Sequence, residues 1–208
     1  MSGFRFPLAP WFEEHADQVR TDLAAYYSGT AVLTGRYFDR YAAATHPDHF
    51  EPGDVLAAQS LSVLHDPHPA GQLLLDEPER FDALLAQVPH GPALWEVDAA
   101  VVDDGGPADV LWRELQTIPL ISWVGAGKLM AAKRPRLIPV YDEKVRQLLD
   151  PPAGRLWATL RDELVDDGGR RAIAAVCTTA PDHVGLLRRI DVALWMHARR
   201  GAHPVVQA

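Results

Sequence analysis

The sequence predicts an all-α fold, a helical domain with no substantial sheet, on three observations. Nearly every segment with a regular apolar pattern repeats at the spacing of a helix rather than that of a strand. The only strand-like runs, residues 31–33 and 97–102, are short. Breaks rich in proline and glycine cluster at 65–71, 89–92 and 103–107, between the helical segments. All-α architecture is the layer solution such a pattern allows.

The elements follow in order. Residues 17–27 place Val19, Leu23 and Tyr26/Tyr27 on one helical face, and Ser28-Gly29 end the run. Residues 35–44 form a second helix, aromatic on one side, and 54–64 a third, rich in apolar residues after Pro52-Gly53. Pro78 opens a helix over 78–87, since proline suits the first turn. Residues 108–117 make a helix that leads into a tight turn at Ile118-Pro119-Leu120-Ile121-Ser122, with another helix from about Trp123. Asp142 opens the next one. Helices over 154–165, 169–177 and 182–200 complete the set, and Gly201 stops the last.

At 208 residues the chain suits one domain, 1–208, divided softly near residue 105 into an acidic half (1–105) and a turn-bearing half (106–208). An apolar content of 48% and a charged content of 23% are those of a globular protein able to bury a core. No apolar run approaches the ~20 residues of a membrane span, so no membrane partner is expected. The first residues lack a basic region followed by a long apolar stretch, and the single cysteine, Cys177, sits in an apolar helical context. A reducing, cytoplasmic location is the expectation. Net charge is −8, unevenly spread: residues 1–117 carry −13 and residues 118–208 carry +5. All three lysines, Lys128, Lys133 and Lys144, fall near Arg134, Arg136 and Arg146, so a polyanion would find its complement there and repulsion elsewhere.

The run LWRELQTIPLISWVGAGKLMAAKRPRLIPVYDEKVRQLL, from 111 to 149, carries the most chemistry. A helix, a hairpin, a second helix, a proline-bracketed loop and an aspartate opening a third helix come in the order that resembles the helix-hairpin-helix DNA glycosylase superfamily. About 40 of the 208 residues are covered. That family has glycines where Leu120 and Ser122 stand, and uses them to bring backbone close to a phosphate. Gly125 stands at its threonine position, Ala126 matches its alanine, and Val145 and Arg146 match the residues after its aspartate. The position of the lysine nucleophile in its bifunctional members falls on Val124. The resemblance therefore implies N-glycoside hydrolysis without a Schiff base, with Asp142 stabilising the cationic sugar as the base departs. It also implies substrate contacts from Trp123 and Tyr141 by stacking, and from Lys128, Lys133, Arg134, Arg136 and Lys144 as a positive rim. The partner would be DNA or a nucleoside-like small molecule, with no cofactor. A second resemblance, through AGKLMAAKRPRLIPVYD and the segments 50–63 and 186–200, is to an uncharacterised actinobacterial family without known activity.

Each residue also has a plainer role. Asp142 before EKVRQLL is a good helix N-cap, worth ~1 kcal/mol with no chemistry. Trp123 and Tyr141 suit a core. Gly125-Ala126-Gly127-Lys128 lacks the glycine at 122 and the hydroxyl at 129 that a phosphate loop needs. The two H-x-x-H clusters, 46–49 and 65–68, lie in proline-interrupted loops and read as exposed histidines, with no metal expected. Two alternatives to the glycosylase reading stand. One is a small-molecule enzyme or binder that has lost its grip on DNA, with a pocket lined by Tyr26, Tyr27, Tyr37, Phe38 and Trp123. The other is a non-catalytic interaction module.

Overall fold

In the computed structural model, which describes residues 3–29 and 33–201, proline and side-chain caps decide where many of the helices begin. The chain starts with α1 (Leu8–Glu14) and α2 (Ala16–Tyr27), joined at His15. Next come a 3-10 turn at Thr34–Tyr37 and the short α3 (Phe38–Ala42). Pro52 opens α4 (Pro52–Ser60), where Glu51 and Asp54 also form a reciprocal capping box. A one-turn α5 (His68–Gly71) passes into a π-helical turn at Gln72–Asp76. Prolines again open α6 (Pro78–Leu85) and α7 (Pro107–Leu115), because a missing N–H costs nothing in a first turn.

Side chains cap the next starts. Ser122 accepts from the Gly125 N–H to begin α8 (Trp123–Lys133), and Asp142 caps α9 (Glu143–Leu149). After α10 (Leu156–Val165), Asp166 caps α11 (Asp167–Val176), and α12 (Leu186–Gly201) closes the fold. Among the described residues there is no strand. The strand-like run at 97–102 is instead a 3-10 turn, Ala99–Val101. Of the other strand-like run, Ala31 and Val32 lie outside the described residues.

One connected apolar core runs from Leu8 to Leu194, and α8 lies at its centre, with every residue from Gly125 to Lys133 buried. Burying about 25 cal/mol for each Å² of apolar surface is what holds these short helices, most of which are too short to persist alone. Helix α8 packs on α4 and α7, and α12 packs on α2 and α9. Cys177 is buried in the core, and burial pushes its thiol up to about 12. No helix of the described residues is long and apolar enough to cross a membrane.

The turn between α7 and α8 holds Leu120 at φ +70°, exposed, in the left-handed region where glycine would be unstrained. Backbone in this conformation is what a glycine-bearing turn would adopt. The leucine side chain nevertheless stands on its outer surface.

Candidate functional site

Asp142 faces a cleft of about 300 Å³ formed where α2, Leu33 with the 3-10 turn that follows it, the end of α4, α8, the start of α9 and α12 converge. The floor is built by close approach: a Cβ at Gly35 would sit 2.0 Å from the Tyr26 hydroxyl, so only glycine fits there. Into this space α8 contributes Lys128, α9 contributes Lys144, and one face of α12 contributes Arg188, Asp191, Trp195 and Arg199.

The carboxylate of Asp142 is fixed by its cap. Its Oδ1 accepts from the N–H groups of Lys144 (3.0 Å) and Val145 (3.2 Å). Capping thus sets the direction of the carboxylate at the cleft wall. Both roles that the sequence allows for this residue are geometrically compatible.

Arg188 and Asp191 are buried, one turn apart on α12, and paired with each other. Arg188 also donates to the Tyr26 hydroxyl (2.7 Å) and the Gly35 carbonyl (3.0 Å), so the guanidinium ties α12 to α2 and the cleft floor. Its Nε lies 3.5 Å from Asp39. Burial pushes Asp191 up to about 7, against the opposing pull of Arg188, and the negative charge of Asp142 adds to the rise. Lys128, itself buried, donates to the Leu61 carbonyl (2.8 Å), and burial lowers its pKa while Asp142 and Asp191 hold it up. The loop it grips carries two left-handed residues, Ser62 (φ +63°) and Leu64 (φ +58°), and Ser62 lines the cleft.

The cations expected to form a rim divide sharply. Lys128 and Lys144 line the cleft. Lys133 does not: it is 2% exposed, 2.5 Å from Asp54, and donates to the Thr45 hydroxyl (3.0 Å) and His46 carbonyl (2.7 Å). Arg134 is 1% exposed and donates to the carbonyls of Leu85, Val88, Pro47 and Lys133, stitching the loops around α3 and α6 to the end of α8. Neither forms part of a positive rim, because each neutralises or satisfies a buried partner. Arg136 is exposed on another side, 3.6 Å from Glu96, at a second cavity of about 480 Å³ lined also by Phe38, Asp39, His90, Lys133 and His183.

The aromatic candidates separate too. Trp123 and Tyr141 pack against each other, ring centroids 5.6 Å apart, outside the lining of the cleft, and Trp112 donates to the Trp123 carbonyl. Tyr26 lines the cleft, Tyr27 packs beside it, Tyr37 is half-buried beside Arg36, and Phe38 belongs to the core and the second cavity. Among the described residues no cluster of three metal-ligating side chains occurs: His46 and His49 lie ring to ring, and His49 bonds Asp82.

Arg188, Asp191, Trp195 and Arg199 are the cleft residues that sequence reasoning missed. A signal was present: Arg188, Asp191, Trp195 and Arg199, three, four and four apart, fall on one face of a long amphipathic helix, so that its charges line up beside an aromatic ring.

The architecture and cleft define an all-helical protein in which three buried charged residues, Lys128, Arg188 and Asp191, line a small pocket, while Lys133, Arg134 and Asp54 are buried elsewhere. The chain belongs to DUF6308, a family of unknown function, whose profile matches residues 19–198. Neither the curated proteins nor the solved structures contain a match to it.

Proposed function

We propose that the protein hydrolyses an N-glycosidic bond in a nucleoside-like small molecule held in the Asp142 cleft. The observation that carries this reading is that two carboxylates, the helix cap Asp142 and the buried Asp191, line one cleft of about 300 Å³, at the small end of the range for small-molecule sites. Glycoside chemistry uses one carboxyl that holds a proton beside a second that carries charge, and burial raises Asp191 to about 7. As the bond from the anomeric carbon to the base nitrogen breaks, the base takes the bonding pair and a proton from Asp191. Asp142 stabilises the cationic sugar. Water then adds its oxygen to the anomeric carbon and returns a proton to a carboxylate.

The resemblance to helix-hairpin-helix glycosylases supports the same chemistry through Asp142. It does not favour a duplex, since Lys133 and Arg134 are consumed inside the protein and Leu120 covers the turn with a side chain. The test is release of free base from a panel of nucleosides and nucleotides by the native protein and by Asp142→Asn. A duplex bearing a cationic abasic-sugar analogue serves as the comparison ligand. Base release that needs Asp142 supports the reading. Silence across the panel, with selective tight binding of the modified duplex, replaces it with a DNA glycosylase.

A further inference from the structure

We infer that the cleft is built for a ligand carrying a phosphomonoester, with Lys128, Lys144 and Arg199 as the anion subsite. The inference rests on the reading of the cleft as a small-molecule site and adds the chemical class of what enters it.

Charge accounting comes first. Lys128, Lys144, Arg188 and Arg199 line the cleft against only two carboxylates, Asp142 and Asp191, which leaves a surplus of two positive charges. This surplus occurs in a protein whose net charge is −8. Arg188 is bound to Asp191 and lies 3.5 Å from Asp39, so it is matched by Asp39 even when Asp191 holds a proton, and the surplus belongs to the other three cations, with Asp142 as the carboxylate left among the cleft-lining residues. A phosphomonoester dianion matches it in sign and size.

The state of those three cations is the second observation. None of Lys128, Lys144 and Arg199 makes an ion pair among the described residues. Many cations elsewhere are neutralised locally, as Arg80 is by Glu77 and Glu114 and Lys133 is by Asp54, although Arg189 meets only carbonyls. Lys128 is the informative member. It is 5% exposed, and its ammonium, with three donors, makes one hydrogen bond, to the Leu61 carbonyl. A buried cation with donors to spare is costly unless an anion meets it. Lys144 stands exposed on α9, and Arg199, exposed on α12, lies over the Trp195 ring one turn before it, 5.4 Å from guanidinium carbon to centroid. One deep donor and two at the entrance suit a terminal phosphate, whose three free oxygens need several donors.

Trp195 lines the same cleft and offers a reporter. The full chain is titrated with ribose 5-phosphate, ribose and inorganic phosphate, following tryptophan fluorescence and checking by calorimetry. Expected is affinity for ribose 5-phosphate at least about tenfold above that for ribose, falling about tenfold or more in Lys128→Met and several-fold in Lys144→Gln. Lys144 is exposed, so its variant folds whether or not Lys128→Met does. Equal affinities for the two sugars, no binding of either at millimolar concentration, or a phosphate preference that survives both substitutions would overturn the inference. A short single-stranded oligonucleotide binding more tightly than ribose 5-phosphate would also overturn it, in favour of a phosphodiester chain. Ribose 5-phosphate has no bond to a base, so this experiment is independent of hydrolysis. Phosphate preference without base release removes only the hydrolase reading, and base release without phosphate preference removes only this one.

Discussion

Asp142 holds two jobs on one carboxylate, and substitution separates them. Asparagine caps a helix about as well as aspartate but carries no charge to stabilise a cationic sugar. Asp142→Asn is therefore expected to unfold within a few tenths of a kcal/mol of the native protein while losing base release. Asp142→Ala should lose both, with a stability cost of ~1 kcal/mol in urea denaturation. A base-release rate unchanged in the asparagine variant would reduce Asp142 to a cap. Lys133 shows the opposite case, a cation whose whole role is internal. Removing it in Lys133→Met strands Asp54, which is 0% exposed, and leaves the Thr45 hydroxyl and His46 carbonyl short of a donor. The expected cost is about 3–5 kcal/mol, read as a lower urea midpoint. From sequence, Lys133 and Lys128 looked alike, both in one helix and both near Asp142 in the chain. Only the partner that each meets across the fold tells them apart.

At the scale of elements, the α7–α8 turn and α12 make the sharpest predictions. Leu120 pays for a left-handed backbone at φ +70° with no burial in return, being 68% exposed. Leu120→Gly is expected to raise stability by up to ~1 kcal/mol, net of glycine's greater freedom in the unfolded chain. A loss would mean that the leucine makes contacts worth more than the strain.

On α12, Asp191 is raised from 3.8 to about 7 by burial. The folded chain thus holds a proton that the unfolded chain releases near pH 4, so the Asp191 contribution to stability falls as pH rises from about 4 to about 7 and is level above. Asp191→Asn should remove that slope from a series of denaturation curves, and a slope left unchanged would assign it to other groups. Base release should likewise decline as pH rises through about 7, because the proton needed by the departing base is then lost. Helix α12 itself was legible from its amphipathic pattern, although it begins at Leu186 rather than at 182. Helix α1 was not, because Pro7 and Pro10 obscure a short segment whose Leu8, Trp11 and Phe12 are held by packing rather than by propensity.

The charge division along the chain acts at the scale of the whole molecule. The N-terminal residues 1–117 carry −13, and several of the cations opposite them are consumed in internal pairs. Plain duplex DNA is expected to bind weakly at low salt and to be released at moderate salt, since few cations remain to displace counterions. Tight binding at 150 mM salt, followed by fluorescence anisotropy, would contradict the small-molecule reading. The all-helical class needed only the sequence, because apolar periodicity and helix punctuation are local properties of the chain. Asp142 as the start of α9 was equally legible, from a capping residue before an apolar repeat. The composition of the cleft was not. Tyr26, Lys128, Asp142, Asp191 and Arg199 come from segments far apart in the chain, and their charges acquire meaning only when packing removes water and chooses their neighbours. Burial and partnering are properties of the assembled core, so the tertiary structure alone decided which cations hold the fold together and which remain free to meet a ligand.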